Sequence, residues 1–587
     1  MKLFHHKKIS FTSIVLFITA FAVSFSAWAA HTVDLKVIGV KGVKAIENVE
    51  IYTSMIDKEE SDGSERHKYL VREAINKALQ VYGYYTIKIN FSLKPSSGKT
   101  RPTLVADVNA GRQTLIEGVD VRLLGEAVND EAFVALNDKK LAKKGDMLYH
   151  SYYEDYKSSL QSLAQARGYF NADFELSRLE VMPSTYQAWW RIIFNSGQRY
   201  HFGKFSFLYS QIREDYLRNI MQIKEKDPYF INDLSLLTND YTSSGWFKSV
   251  LLQPHINEEK KQVDVDVLLY PRKKNAMDIG VGYSSDVGPR LQLGWLKPWI
   301  NSRGQSFSTN LYLSSPKQML GAVYKIPLLK NPLRYYYEFS GGFEREREND
   351  TDTLSATFVA LRYWNRVTGW QHSLGVRVRY DSFLQGDVSD KTVLIYPTVS
   401  VSRTRLKGGA FPTWGDSQHI TVDISHKNFL SDASFFKIQA STAWVRTFAE
   451  NHRTLARAEI GLLKTNDIDK IPPALRFFAG GDRSVRGYGY KKISPKDSKG
   501  NLIGASRLLN STLEYQYRVY DEWWLATFAD IGLADNSFNV NSLHYGAGMG
   551  VRWASPVGAI KLDIATPIRD KEKSKNIQFY IGIGTEL

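Results

Sequence analysis

Residues Arg476 to Ser494 form the stretch whose residue types are best suited to a specific polar contact. The segment reads RFFAGGDRSVRGYGYKKIS and holds four glycines, three arginines and four aromatic residues. Glycine-rich segments can fold back tightly, and an arginine side chain presents a planar set of donors that matches a carboxylate. The segment therefore predicts a tightly turned loop from which the Arg486 guanidinium can enter a polar cavity and bind a carboxylate.

A second candidate for chemistry is the run Gly415-Asp416-Ser417-Gln418-His419, which brings a serine, an aspartate and a histidine together. It lacks the G-x-S-x-G pattern of a nucleophile elbow, and residues this close along a strand point to alternate faces. The chain also contains no phosphate-binding G-x-x-x-x-G-K-[ST], no H-E-x-x-H and no calcium-binding loop pattern. We therefore predict that the protein is not an enzyme and uses no cofactor or metal.

Length, charge and the N terminus limit the class of protein. The chain has 587 residues, 43% of them apolar, with 76 Lys and Arg against 61 Asp and Glu and no cysteine. Lys2, Lys7 and Lys8 precede an apolar run that ends in Ala27-Trp28-Ala29, the pattern of a secretory signal peptide over residues 1–29. Export excludes nucleic acid as the expected partner, and the positive charge suits anionic lipid or acidic clients.

The first half repeats one small module three times, at intervals of about 80 residues. Each copy has a helix-like segment, a glycine beside aromatic residues, and an alternating strand, which predicts β-α-α-β-β modules at 30–109, 110–196 and 197–272. Such modules could simply act as spacers, or their sheet edges could accept an extended client strand. The three glycine phrases are Tyr82-Gly83-Tyr84-Tyr85, Arg167-Gly168-Tyr169-Phe170 and Ser244-Gly245-Trp246-Phe247.

The second half, residues 273–587, consists of short alternating segments without sustained helical periodicity. One face is apolar and the other polar with arginines, as in Leu374, Val376 and Val378 against Arg377 and Arg379. A soluble sandwich would also alternate, but export and the abundance of aromatic residues favour a membrane β-barrel. The length predicts about 16 antiparallel strands. The glycine-rich loop, 475–500, then falls between the eleventh and twelfth strands, either as a long extracellular connection or as one that folds back into the lumen.

Several motifs, taken together and in their order along the chain, are similar to those of one protein family. They are Val485-Arg486-Gly487-Tyr488 in the loop, Phe528-Ala529-Asp530-Ile531-Gly532 in a later strand, three modules that resemble POTRA domains, and a last strand ending Gly582-Ile583-Gly584-Thr585-Glu586-Leu587. The chain resembles the BamA/TamA superfamily of outer-membrane assembly factors, and within it the TamA family, the outer-membrane subunits of the translocation and assembly module.

This resemblance implies both a site and partners. In the superfamily the loop arginine is held by the aspartate of the F-x-D-x-G strand, which implies a structural lock of Arg486, Gly487 and Tyr488 with Asp530 and Gly532; the alternative is a solvated surface arginine at position 486. It also implies a bacterial outer-membrane location with the modules in the periplasm. The implied partners are a TamB-like protein anchored in the inner membrane, unfolded β-barrel clients including autotransporters, and outer-membrane lipid.

The expected mechanism uses the seam between the first and last barrel strands as a template edge for client strands. Gly280, Gly282, Gly582 and Gly584 would weaken that seam, or would merely relieve barrel curvature. A cross-link between positions 281 and 581 would test the seam. The alternative function is a two-partner secretion translocator for a dedicated client, against which three modules, rather than the usual two, and the missing plug helix argue.

Overall fold

The computed structural model describes residues 32–95, 101–556, 558–568 and 577–584. The predicted signal peptide and the end of the predicted last strand, 585–587, lie outside the described residues. The chain falls into two compact units. One consists of the residues up to Lys204 with Glu225–Asn232 and Ile256–Asp264, and the other of Phe205–Lys224, Asp233–His255 and Val265–Leu587.

The N-terminal part contains three small sheets, each accompanied by two helices in the predicted order strand, helix, helix, strand, strand. The strand that comes last in the module lies in the middle of its sheet, giving the orders β1-β3-β2, β4-β6-β5 and β7-β9-β8. The strands are β1 Asp34–Ile38, β2 Lys88–Lys94, β3 Thr103–Asn109, β4 Leu115–Leu124, β5 Asp173–Met182, β6 Gln187–Asn195, β7 His201–Leu208, β8 Phe247–Asn257 and β9 Gln262–Pro271. The helices are α1 Val43–Ser54, α2 Glu65–Gln80, α3 Glu131–Lys140, α4 His150–Ala166, α5 Glu214–Arg218 and α6 Ile231–Ser243.

The repeated glycines end the second helix of each module. Gly83, Gly168 and Gly245 have φ angles of 80°, 85° and 75°, a left-handed conformation that side-chain-bearing residues rarely adopt. The helix before each glycine turns its apolar face to the sheet, as Val71 and Ile75 of α2 do with no exposed surface. The prediction that each aromatic-glycine phrase marks a helix end is therefore confirmed, with the glycine lying just beyond C-cap residues such as Val81 and Arg167.

Residues from Ala276 onward form a closed barrel of 16 antiparallel strands in sequential order, as the sequence predicts. Outward side chains are apolar and exposed, as at the start of the first barrel strand, where Met277, Ile279 and Val281 are 75–82% exposed. The strands are β10 Ala276–Ser284, β11 Gly288–Lys297, β12 Ser306–Ser314, β13 Lys317–Pro327, β14 Tyr335–Glu348, β15 Thr351–Asn365, β16 Gln371–Gln385, β17 Val388–Lys407, β18 Trp414–Ser425, β19 Phe435–Phe448, β20 His452–Thr465, β21 Arg507–Tyr520, β22 Trp523–Asp535, β23 His544–Ser555, β24 Gly558–Pro567 and β25 Gln578–Gly584.

The two ends of the barrel are distinguished by their connections. The chain enters β10 at one end, which we call the module end, and the long connection between β20 and β21 lies at the other, the loop end. At the module end, the connection between β11 and β12 accepts two hydrogen bonds from the preceding module, from the Arg213 backbone N–H to the Ser302 carbonyl and from Trp246 Nε1 to the Gly304 carbonyl, both 2.9 Å.

In the described part of the chain, none of the α-helices is long and apolar enough to span a bilayer.

Candidate functional site

The long connection between the eleventh and twelfth barrel strands, residues 466–506, is packed inside the barrel, and we call it the inward loop. It forms short internal β-bridges, including Phe477 with Ala505 and Ala479 with Ile493. Its apolar side chains share one buried cluster with side chains of β17, β19, β20, β21 and β22. The cluster members from the loop are Ile471, Leu475, Phe477, Ala479, Val485, Tyr488, Ile493 and Ala505. The inward fold of the glycine-rich segment thus rests on an apolar core as well as on polar contacts.

Arg486 and Asp530 are in direct contact, as the family resemblance implies. Nε and one terminal nitrogen of Arg486 donate to the two Asp530 carboxylate oxygens at 2.8 and 3.0 Å, and the Arg486 backbone N–H donates to Asp530 at 3.0 Å. Both side chains are at most 1% exposed. A two-pronged, charge-assisted contact of this kind holds both position and orientation.

Sequence reasoning missed three further members of this site. Arg486 also donates to Glu514 at 2.8 Å and to Asp563 at 3.2 Å. Arg552 bonds to the same two carboxylates, at 3.0 Å to Glu514 and 2.5 Å to Asp563. We call Arg486, Glu514, Asp530, Arg552 and Asp563 the lock cluster. It sets two guanidinium groups, from the loop and β23, against three carboxylates, from β21, β22 and β24.

The buried environment acts on Arg486 in two opposing ways. Burial by itself lowers the pKa of Arg486, but the hydrogen bonds and negative charges of Asp530, Glu514 and Asp563 outweigh burial and raise the pKa above its ordinary value. The guanidinium also lies 3.3 Å from the centre of the Phe528 ring, which closes its remaining face. Arg486 is therefore a permanent cation whose charge is compensated only while the loop stays inside the barrel.

The glycines of the two motifs make room for close contacts of the loop with the barrel wall. Gly487 has φ 97°, and a β-carbon there would approach the backbone carbonyl carbon of Thr566 in β24 to 2.7 Å. A β-carbon at Gly532 would collide with Val485. The Gly487 N–H donates to the Tyr580 hydroxyl at 3.0 Å, and that hydroxyl donates to the Tyr488 carbonyl at 2.8 Å. All five predicted lock residues thus lie together, and Tyr580 extends the contact to the last strand.

The seam between the first and last barrel strands differs from every other strand boundary of the described barrel. β10 and β25 share one register pair, Ser284 with Gly582, whereas each other neighbouring pair of barrel strands shares at least seven. Side chains supplement it: Arg290 of β11 donates to the Ile583 carbonyl at 2.9 Å, and the Ile581 N–H donates to the Ser285 hydroxyl at 2.8 Å. The seam is closed largely by side chains.

The seam glycines accommodate neighbouring long side chains. A β-carbon at Gly282 would lie 2.8 Å from Nε of Arg290, and one at Gly582 would lie 2.6 Å from the end of Lys561. At Gly280 the nearest atom, from Gln292, is 3.6 Å away, and Gly584 pairs with Ala559 of β24. Their predicted role in opening the seam stays a prediction.

The register corrects the proposed cross-link between positions 281 and 581. Ile581 lies opposite Ser285, whose backbone N–H donates to the Ile581 carbonyl at 3.2 Å. Strand limits alone do not determine this offset, because a barrel can close with different staggers between its first and last strands.

The first hairpin of the seam also contacts the inward loop. The Asp482 N–H donates to the Asp286 carboxylate at 2.8 Å, and the two carboxyl groups are hydrogen-bonded to each other. Burial, followed by the hydrogen bond and charge of Asp482, raises the pKa of Asp286 to about 8. Lys561 lies 3.6 Å from Asp482 and helps to keep the pKa of that carboxyl low. The pair therefore holds a shared proton between the loop and the seam.

Comparison with known protein families shows where this architecture belongs. Residues 274–587 match the Omp85 superfamily domain, which covers more than half of the chain. The chain is a member of the Omp85 superfamily. Residues 34–110 match the model for TamA POTRA domain 1. Together with the 16-stranded barrel, membership in this superfamily indicates a bacterial outer-membrane protein.

Curated relatives of this Omp85 protein align over part of their length. The outer membrane protein assembly factor BamA of Nitratidesulfovibrio vulgaris is 26% identical over 49% of this chain and 35% of that protein. BamA of Neisseria meningitidis serogroup B is 21% identical over 64% and 55%, and a SAM50-like protein of Schizosaccharomyces pombe is 28% identical over 38% and 49%. The chain thus spans between about a third and a little over half of these relatives.

A solved structure shares the fold of this Omp85 protein. BamA from Haemophilus ducreyi lacking POTRA domains 1–3 matches with a TM-score of 0.54 and 15% identity, over 94% of this chain and 99% of that one. At this identity the likeness concerns the fold alone. It agrees with small α+β modules followed by a β-barrel.

Proposed function

We propose that this Omp85 protein is an assembly factor of the TamA type, which inserts and assembles β-barrel proteins, autotransporters among them, into the outer membrane. Its proposed partners are a TamB-like periplasmic protein anchored in the inner membrane and unfolded barrel clients. The match of residues 34–110 to TamA POTRA domain 1 and the three modules favour the TamA type. Superfamily membership supports a role in assembly or translocation.

The observation that carries this proposal is the weak seam. A client strand in hydrocarbon leaves its backbone N–H and C=O groups unpaired, at a cost of several kcal/mol each. The edges of β10 and β25 share only the Ser284–Gly582 register pair, so most of their backbone positions are not matched to each other in the described structure. An open seam can offer these edges to the client as a template.

Opening at the seam is the least costly way to open the barrel. It breaks a few hydrogen bonds, each worth about 0.5–1.5 kcal/mol net in water and more in apolar surroundings. Opening between β16 and β17 instead breaks a ladder that runs from Gln371 with Ser402 to Gln385 with Val388. In this proposal the folding of the client supplies the free energy for its insertion.

A disulfide across the seam tests the proposal. Because Ser285 and Ile581 form a hydrogen-bonded pair, Ser284 and Gly582 form the adjacent non-hydrogen-bonded pair, with an expected Cα separation of about 4.5 Å that suits a disulfide. We expect oxidised Ser284→Cys/Gly582→Cys to lose most client assembly, measured as protease-protected, heat-modifiable autotransporter barrel, and to regain it on reduction.

A matched control cross-links β16 to β17, two neighbouring strands that stay paired in the proposed mechanism. Ser373 and Ser400 face each other across β16 and β17 with their hydroxyl oxygens 2.6 Å apart, so Ser373→Cys/Ser400→Cys adds a disulfide with little change in shape. Assembly should persist in this oxidised variant. Full activity of the oxidised seam variant would refute the template mechanism, and passage of a secreted client through the locked barrel would support the translocator instead.

A further inference from the structure

A cluster of basic and aromatic side chains lies on the barrel wall near the module end. Arg405 pairs in register with Asp416, and Trp414 lies between Lys407 and Arg446 on the two neighbouring strands. We call these side chains, together with Arg403 and Trp444, the wall cluster. Its members are Arg403, Arg405 and Lys407 of β17, Trp414 and Asp416 of β18, and Trp444 and Arg446 of β19.

The wall cluster faces away from the lumen. Along β17, Leu394 and Tyr396 are fully buried against the inward loop, whereas Val393 and Val399 are 39% and 43% exposed. Side chains alternate along a strand, so the odd-numbered positions 403, 405 and 407 point outward. The register then places the even-numbered members of β18 and β19 on the same outer surface.

The positive charge of the wall cluster exceeds what its one carboxylate can balance. Asp416 is fully buried and accepts two hydrogen bonds from Arg405, at 3.1 and 2.7 Å. Arg403 and Arg446 lie farther from Asp416, at 3.7 and 3.6 Å. Nε of Arg403 is buried and has no hydrogen-bond partner in the described part of the chain. One terminal nitrogen of Arg446 donates to the Gly415 and Val445 carbonyls, at 2.6 and 2.7 Å. The remaining donors of Arg446 and the Arg403 guanidinium are therefore able to take a further anion.

Tryptophan rings hold these two guanidinium groups in place. The Arg403 guanidinium lies 4.5 Å from the Trp370 ring centre, and that of Arg446 lies 4.5 Å from Trp414 and 5.0 Å from Trp444. Stacking on an aromatic face leaves the donor edges of a guanidinium free. Tryptophan is also typical of the level at which a barrel meets the lipid headgroups.

We propose that the wall cluster binds the phosphate of an anionic glycerophospholipid, of the phosphatidylglycerol type, in the leaflet next to the module end. The phosphate oxygens accept hydrogen bonds from Arg403 and Arg446, Lys407 adds a third positive charge, and the tryptophan rings pack against the glycerol and upper acyl chains. Free phosphate is the less favoured source of the anion because the cluster lies on the surface that faces lipid. The proposal rests on the barrel lying in a bilayer and not on client assembly.

The test is native mass spectrometry of the full chain in detergent micelles. Wild type should retain dioleoylphosphatidylglycerol in preference to dioleoylphosphatidylcholine, and Arg403→Gln/Arg446→Gln should weaken that retention about tenfold or more. The control is Arg345→Gln/Arg347→Gln, which removes two outward arginines that flank Asp352 near the loop end. The control should retain the lipid as wild type does.

Three other results of this experiment would overturn the proposal of a lipid site. Unchanged retention in Arg403→Gln/Arg446→Gln, or an equal loss in the control, overturns the proposal, because binding then reflects the overall positive charge. Displacement of the lipid by millimolar inorganic phosphate overturns the lipid as the ligand. Heat modifiability on gels verifies folding; if the double variant does not fold, Arg403→Gln alone should weaken retention, and unchanged retention then refutes the site.

Discussion

At the scale of single residues, Arg486 is the most constrained side chain of this Omp85 protein. It is 1% exposed and is bonded to three carboxylates from three different strands. An isolated buried guanidinium would be very unfavourable, and so would the three carboxylates without it. The charge balance of the lock cluster therefore depends on Arg486, and the loop can leave the lumen only if that balance is lost.

Replacement of Arg486 by alanine should destabilise the barrel by about 3–5 kcal/mol, because Glu514, Asp530 and Asp563 are then left with Arg552 as their only guanidinium within the lock cluster. Urea unfolding in detergent micelles measures the change. The control is Arg483→Ala, three residues earlier in the same loop, where the side chain is exposed and the expected change is within about 0.5 kcal/mol. Equal effects at the two positions would contradict a specific lock.

At the scale of elements, the inward loop braces four of the five barrel strands that follow it. It contacts β21, β22 and β24 through Arg486 and β25 through Gly487 and Tyr488, so it braces the wall next to the seam. The near contact of Gly487 with the Thr566 backbone shows how closely the loop lies on β24. The loop thus strengthens the strands that lead to the seam while leaving the seam itself weakly paired.

Alanine substitutions at two glycines of this loop distinguish the cost of backbone strain from the cost of a collision with the barrel wall. Gly487 and Gly500 both have positive φ, 97° and 89°, but a β-carbon meets the Thr566 backbone at position 487 and open space at position 500. Gly500→Ala should cost about 1–2 kcal/mol from strain alone. Gly487→Ala should cost more, and it should loosen the loop so that trypsin cleaves its backbone after Arg483 and Lys491. Equal stability and equal cleavage in the two variants would show that the close approach is unimportant.

At the scale of the whole barrel, the shared proton of Asp286 and Asp482 links the first hairpin to the inward loop. The folded-state pKa of Asp286, about 8, lies above its ordinary value of 3.8, so folded molecules hold this proton where unfolded ones have lost it. Its contribution to stability is full below about pH 4 and is lost as the pH rises towards 8. In the described part of the chain, the other charged or titratable groups around the pair are Lys561, Arg457, Arg483, Tyr490, Tyr580, Arg290, Tyr312, Glu459 and Lys491.

The stability of wild type should therefore fall with rising pH between about 4 and 8, with a contribution from Asp286 of up to about 1.4 kcal/mol per pH unit. Asp286→Asn should remove this contribution, because its amide can donate to Asp482 without titrating. Urea unfolding across this pH range measures the slope, and Asp387→Asn, at an exposed turn, serves as the control. A slope unchanged in Asp286→Asn would exclude the shared proton.

Much of the architecture follows from local sequence because its causes are local. Gly83, Gly168 and Gly245 adopt positive φ angles at helix ends. Along each barrel strand, apolar and polar residues alternate, which separates the lipid-facing side from the lumen-facing side. These patterns yielded the modules, the 16 strands and the position of the loop between the eleventh and twelfth. The pairing of Arg486 with Asp530 came from the family motif and not from spacing.

The tertiary structure alone decided which lumen residues meet. Alternation places Glu514, Arg552 and Asp563 on the inner face, but their height in the barrel depends on the stagger of strands, a property of the closed barrel and not of any one segment. The same stagger set Ile581 opposite Ser285 and joined Asp286 to Asp482. It also brought Arg403, Asp416 and Arg446 together on the outer wall. The sequence by itself determined which face of each strand is apolar and where the loop lies in the strand order. Closure of the barrel determined which side chains are in contact.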